Sequence, residues 1–143
     1  MKKSILLWMS AMLMLSVGMM SCSEDEALDE NHKNIIGEWQ LLNYRGGFSP
    51  INVDLEPGEV MVTFTKDGVV RVNGKEGNYG FPLLTGTYNY SFEEKTPYKA
   101  KESTTVLVIS SSINDYYFHF EDGMLLLSDG VYDGFEYKFK KVE

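Results

Sequence analysis

The chain is poor in the residues on which most metal and nucleophilic chemistry depends. Its 143 residues include one cysteine and two histidines. It contains no Gly-x-Ser-x-Gly sequence, no His-Glu-x-x-His sequence and no glycine-rich phosphate loop ahead of a helix. His119 has no second ligand at metal-binding spacing. These absences predict that the protein is not an enzyme and that it uses no metal or cofactor.

Basic residues are also few. Thirteen lysines and arginines stand against 21 acidic residues, and the formal net charge is −8. The charge becomes more negative if residues 1–21 are removed, because Lys2 and Lys3 lie there and no acidic residue does. Proteins that bind nucleic acid draw affinity from lysine and arginine at the phosphates, so we expect no nucleic acid partner.

What the chain does have, at its N-terminus, is a long apolar run. Met1-Lys2-Lys3 precedes the run Ile5–Met20, a pattern typical of an export signal. The run ends in Met19-Met20-Ser21-Cys22, which resembles the lipobox of bacterial lipoproteins. The resemblance implies that residues 1–21 are a signal peptide and that Cys22 carries the lipid. The alternative is an ordinary signal peptide followed by an incidental thiol, which is unusual in an exported protein.

Residues 22–33 are acidic and have no hydrophobic period, which predicts a flexible tether. Ser23-Glu24-Asp25-Glu26 looks like the tag that directs lipoproteins of one Gram-negative phylum to the outer face of the outer membrane. The expected location is therefore the outer membrane, through a lipid anchor, with the domain facing the cell exterior. A solvated tether on a periplasmic protein is the alternative.

Residues 34–143 form one predicted domain. Short β-branched and aromatic runs alternate there with Gly, Asn or Asp turns, and no window has a helical period beyond one turn. Eight runs can be counted: Ile36–Arg45, Val60–Thr65, Val69–Asn73, Gly86–Phe92, Thr104–Ser111, Tyr116–Phe120, Met124–Asp129 and Phe135–Lys140.

The short links between these runs predict antiparallel neighbours. Eight sequential antiparallel strands fit an all-β, eight-stranded up-and-down barrel, because closure removes the exposed sheet edges. A two-sheet sandwich is the alternative. Two longer links, 46–59 and 73–85, are expected to be loops that could bind a partner.

The residues that open and close this domain are similar to those of the lipocalin-like domain of small bacterial lipoproteins. The opening reads Ile36-Gly37-Glu38-Trp39, and the end reads Tyr137-Lys138-Phe139-Lys140-Lys141-Val142. The resemblance covers roughly Asn34 to Glu143. It implies structural roles for Gly37 and Trp39, with Trp39 plugging the closed end under a cation from the last strand. That strand carries Lys138 and Lys140 but no arginine.

The alternation of side chains indicates which residues share a face. Aromatic side chains recur on one face of three runs: Tyr88, Tyr90 and Phe92; Tyr116, Phe118 and Phe120; Phe135, Tyr137 and Phe139. Tyr117 and His119 lie on the opposite face of their run. These rings either fill the core or line a cavity.

Two functions follow, and they use different parts of the barrel. The lipocalin-like resemblance implies binding of a small apolar or amphipathic ligand, for which the candidate residues are Tyr88, Tyr90, Tyr117, His119 and Tyr137. The alternative is a protein-interaction or glycan-binding accessory module that acts through loops 46–59 and 73–85. Phe48, Tyr79 and Phe81 in those loops favour this alternative.

Overall fold

A computed structural model describes residues 29–74, 84–96, 101–130 and 133–143 of the chain. Within them lie one short helix and nine strands: α1 Glu30–Ile35, β1 Gly37–Gly46, β2 Ile51–Asp54, β3 Val60–Phe64, β4 Val69–Gly74, β5 Gly86–Lys95, β6 Thr104–Ile109, β7 Tyr117–Glu121, β8 Met124–Ser128 and β9 Phe135–Lys141. No helix among the described residues is long and apolar enough to cross a membrane.

Eight of the strands form a nearly closed antiparallel barrel. Its strand order is β6-β5-β4-β3-β1-β9-β8-β7. The two ends of this path meet at one bridge between Leu107 and Tyr116, where each backbone amide donates to the other residue's carbonyl at 2.8 Å. Apart from the inserted strand β2, each barrel strand pairs with the one that follows it in the chain. The predicted eight-stranded up-and-down barrel is therefore confirmed.

The ninth strand, β2, lies in the link 46–59 that the sequence analysis treats as a loop. β2 pairs with the second half of β1, from Asn43↔Asp54 to Gly46↔Ile51, whereas β3 pairs with the first half. It has four residues, and three of them are exposed. Apolar Ile51 and Val53 alternate with polar Asn52 and Asp54, but four residues between glycine- and proline-containing segments are too few to distinguish a strand from a loop.

The helix α1 corrects the prediction of a flexible tether at its C-terminal part, since Asp29 to Lys33 are structured. Asp29 caps the helix: its side chain accepts a hydrogen bond from the His32 amide at 2.9 Å. Ile35, the last helical residue, is fully buried in the core. Six residues are too few to show a helical period, and so short a helix is stable only because it packs against the barrel.

The barrel interior is filled by one hydrophobic cluster. Side chains alternate between this interior and the outside, as the period of two predicts. The aromatic faces identified from the sequence point inward, either buried or packed against the core: Tyr88, Tyr90, Phe92, Tyr116, Phe118, Phe120, Phe135, Tyr137 and Phe139.

Strand directions divide the loops between two ends of the barrel. At the first, which we call the helix end, α1 enters β1, and the turns 65–68 and 122–123 join successive strands. At the opposite, far end lie residues 47–50 between β1 and β2, Leu84 and Thr85 ahead of β5, and the β6–β7 turn with Ile113. The described chain thus begins at the helix end, with α1.

Candidate functional site

The helix end is closed by Trp39. Its indole is 2% exposed, and Nε1 donates a hydrogen bond to the Ile35 carbonyl at 2.7 Å, which ties α1 to β1. The Lys141 ammonium lies 5.1 Å from the centre of the indole ring and donates to the Asn34 carbonyl at 3.3 Å. A cation at this distance over an indole is attracted by the ring's negative face.

Gly37 makes room for this closure. Its φ is +130°, a conformation that L side chains rarely adopt, and a Cβ at this position would lie 2.9 Å from Lys141 Cε. The cation over Trp39 is therefore Lys141, whereas the sequence analysis considered Lys138 and Lys140. The reason is alternation: Lys138 and Lys140 are exposed on the outside of β9, and Lys141 falls one step beyond the predicted end of that strand.

A chain of aromatic contacts runs around the helix end inside the barrel. Trp39 contacts Phe120, and the contacts continue through Phe118, Phe92 and Tyr90. The His32 ring of α1 lies against Phe92 and Tyr90, with centroids 4.8 and 6.0 Å away. The helix therefore packs on the aromatic layer. At the helix end, these contacts close the barrel and attach α1 to it.

Three of the five predicted ligand residues face the interior, but they are engaged by the fold. Tyr90 is 5% exposed, and its hydroxyl donates to the Thr65 carbonyl at 2.7 Å. The hydroxyl of half-buried Tyr88 donates to the Leu84 carbonyl at 2.8 Å. Tyr137 is 3% exposed and packs against Tyr116 and Phe135.

Burial changes the acidity of these phenols. Desolvation raises the pKa of Tyr137 well above its ordinary value, and the nearby Tyr116 and Asp129 raise it further. Desolvation likewise raises the pKa values of Tyr116 and Tyr90. All three therefore remain neutral at physiological pH.

The other two predicted ligand residues, Tyr117 and His119, lie on the outer face of β7. The His119 side chain is 68% exposed, and its Nε2 lies 3.9 Å from Glu121. Tyr117 is half-buried, and its ring packs over Gly130, where a Cβ would collide with it. The structure therefore does not bring the five residues together, because neighbouring residues of one strand point to opposite sides of the sheet.

The far end of the barrel exposes apolar side chains on three separate segments. Phe48 follows β1 and is 90% exposed, Leu84 precedes β5 and is 81% exposed, and Ile113 in the β6–β7 turn is 98% exposed. Ile51, at the start of β2 and close to Phe48 in the chain, is 43% exposed. We call Phe48, Leu84 and Ile113 the apolar tip. Tyr79 and Phe81, which the sequence analysis also named, lie outside the described residues, as does Cys22.

Sequence reasoning identified Phe48 but missed Leu84 and Ile113. A signal for Ile113 was present, since an isoleucine stands inside a segment with the turn residues Asn114 and Asp115. Leu84 had no such signal, because the residues before it, Phe81, Pro82 and Leu83, are apolar as well.

No group of three or more potential metal ligands converges among the residues that the structure describes. Comparisons of the chain with protein-family models, with curated proteins and with solved structures found no match. The candidate site therefore rests on the geometry of the barrel.

Proposed function

We propose that this chain is a lipid-anchored protein of the cell envelope whose barrel binds a protein partner through its far end. The observation that carries the proposal is the apolar tip: three large apolar side chains, each at least 81% exposed, on three segments at one end. Apolar surface exposed at one end of a domain is a candidate interaction site, because contiguous exposed apolar patches are typical of such sites. Full burial of each would contribute about 1.5–3 kcal/mol.

The position of α1 supports the orientation that this function needs. The described chain begins at Asp29, the cap of α1, at the helix end. If Cys22 carries the lipid, only six residues lie between it and Asp29, and the seven steps from Cys22 to Asp29 span at most about 25 Å when extended. The helix end would then face the membrane, and the apolar tip would point away from it.

The charge of the chain favours a protein partner over a second lipid surface for the apolar tip. A net charge of −8 disfavours approach to anionic headgroups. A partner with an apolar cleft bordered by basic residues would complement the tip, since rim charges guide association while apolar residues supply most of the affinity.

The small-ligand function, implied by the lipocalin-like resemblance, has less support from the geometry. It needs Tyr88, Tyr90, Tyr117, His119 and Tyr137 around one cavity, and the barrel wall separates two of them from the other three. Three clefts formed by described residues, with volumes of about 280 to 480 Å³, are lined by none of the five.

Site-specific photo-crosslinking in cells tests the protein-partner function. A photoreactive phenylalanine analogue placed at Phe48, Leu84 or Ile113 should give the same discrete protein adduct from all three positions. The matched control is the analogue at Lys66, which is exposed in a helix-end turn and should give no such adduct. Equal adducts from Lys66, or none from the tip, would contradict the proposal.

The anchor has its own test. Mass spectrometry of the detergent-extracted protein should show a chain that starts at Cys22 and carries acyl groups, and a Cys22→Ala variant should leave the membrane fraction. An unmodified N-terminus, or cleavage elsewhere, would contradict the lipid anchor. It would not affect the crosslinking test, which concerns the apolar tip alone.

A further inference from the structure

The outer face of the sheet carries polar side chains in two rows that cross β2, β1, β9 and β8. The strand register places Asn52, Arg45, Glu136 and Ser128 side by side in the first row, and Asp54, Asn43, Lys138 and Leu126 in the second. Two clefts, of about 480 and 430 Å³, open over these rows and share Arg45, Asn52 and Glu136. Both clefts are shallow and open to solvent, and we call the surface that they form together the outer trough.

The trough exists because β1 changes neighbours and register in its middle. A bulge between Leu41 and Asn43 lets both Leu41 and Tyr44 point into the core while Asn43 points outward. Beyond the bulge, β2 replaces β3 beside β1, and the Leu55 amide secures it by donating to the Leu42 carbonyl at 2.8 Å. β2 thus forms one side of the trough.

The polar side chains of the trough hold one another in position. Asn43 Nδ2 donates to Asn52 Oδ1 and to Asp54 Oδ1, at 2.8 Å each. Arg45 Nη2 lies 2.6 Å from Glu136 Oε1. Among the described residues, the Lys138 ammonium has no ion-pair partner. These contacts restrict the exposed side chains before any ligand arrives, which lowers the entropic cost of binding.

The local charge of the trough differs from that of the molecule. Arg45 and Lys138 balance Asp54 and Glu136, so the trough is neutral on a chain of net charge −8. The two carboxylates would repel an anion, and the guanidinium and the ammonium would repel a cation. Hydroxyl groups both donate and accept hydrogen bonds, so they suit this mixture of donors and acceptors.

We propose that the outer trough binds a neutral, polyhydroxylated ligand, the chemistry of an uncharged glycan. Arg45, Lys138 and Asn52 supply donors, while Asp54 and Glu136 supply acceptors. Apolar surface for the C–H faces of a sugar ring comes from Leu126, which lines the trough.

Tyr117 and His119 extend the same rows by one strand. They pair in register with Ser128 and Leu126 on the outer face. Neighbouring strands lie about 4.8 Å apart, which places Tyr117 roughly 10 Å from the Glu136 strand. Two residues predicted for an interior site therefore flank the outer one. None of the three apolar-tip residues lines the trough, although Pro50 and Ile51 near Phe48 line one of its clefts, so substitutions at the tip and in the trough test the two binding functions separately.

A glycan array probed with the full-length protein in mild detergent tests the assignment. The probes are neutral gluco-, manno- and xylo-oligosaccharides, with sulfated and sialylated oligosaccharides for comparison. We expect binding to at least one neutral series, with an affinity that is nearly independent of salt, because the ligand carries no charge to screen.

The variants Arg45→Ala and Asn43→Ala should weaken this binding about tenfold or more, the loss expected when one charge-assisted contact or a positioned network is removed. The matched control is Arg71→Ala, since Arg71 is exposed on the outer face of β4, away from the trough. Serine at the three tip positions should leave glycan binding unchanged.

Three results would overturn the assignment. The first is no binding of any neutral oligosaccharide at millimolar concentration. The second is binding confined to anionic glycans and abolished by salt. The third is an equal loss in Arg71→Ala and in the trough variants. Melting temperatures of all variants, measured in parallel, separate a lost contact from a lost fold.

Discussion

Truncation of Trp39 should remove a large part of the stability of the barrel. The side chain is 2% exposed, and removing a buried tryptophan costs about 3–5 kcal/mol. A small domain has about 5–15 kcal/mol of stability in total. We therefore expect Trp39→Ala to melt about 15 °C lower than the wild type or to be unfolded, at about 4 °C for each kcal/mol.

A second variant, Trp39→Phe, separates the hydrogen bond from the ring. Phenylalanine keeps an aromatic side chain under Lys141 but leaves the Ile35 carbonyl without its donor at 2.7 Å. A buried acceptor left unsatisfied costs about 1–3 kcal/mol, so the midpoint should fall by about 4–12 °C. The Ile36 amide, which donates to the His32 carbonyl in α1, should also exchange with solvent faster, because Trp39 no longer holds the helix.

Thermal and chemical denaturation followed by far-ultraviolet circular dichroism measures both effects. Phe48→Ala is the matched control, since it removes an aromatic ring that is 90% exposed, and its stability should lie within about 0.5 kcal/mol of the wild type. A midpoint for Trp39→Ala equal to that of Phe48→Ala would contradict a closed helix end. Unchanged exchange of the Ile36 amide in Trp39→Phe would contradict the tie between α1 and the barrel.

Three further predictions concern backbone strain and pH. Gly37→Ala should lower the free energy of unfolding by about 1–3 kcal/mol. Adding Lys141→Ala should recover only the part of this loss that comes from the clash of the new Cβ with the Lys141 side chain, because the φ of +130° remains. The hydrogen bond from the His32 amide lowers the pKa of Asp29, so the stability that Asp29 contributes by capping α1 is present above the ordinary pKa of 3.8 and is lost as the pH falls below it. Hydrogen exchange of the α1 amides should accelerate at that low pH. An equal acceleration in the Asp29→Ala variant would contradict this prediction. Burial raises the pKa values of Tyr116 and Tyr137 above 10.0. The stability of the protein should therefore decline as the pH rises above 10.0, because these tyrosines ionise first in the unfolded chain. Tyrosinate absorbance that reaches its full value before the protein unfolds would contradict the burial of these two side chains.

The sequence by itself determined the eight strands of the barrel, their antiparallel order and the facing of their side chains, while a two-sheet sandwich stayed open as the alternative to a barrel. Strand alternation and hairpin turns are local properties, so the eight runs could be read from the chain, and Tyr90, Tyr137 and Phe139 could be placed on one face. The period of two also placed Tyr117 and His119 opposite that face. An interior site that includes Tyr117 and His119 conflicts with this alternation.

Only the tertiary structure decided how the barrel closes and which surfaces remain available. The cap formed by α1 and Lys141 joins residues 107 positions apart, and no local pattern reports such a contact. The outer trough depends on a bulge and on the register of β2, which come from pairing between strands. The common location of the three apolar-tip residues depends on strand direction, because only the assembled barrel places three residues that are distant in the chain at one end.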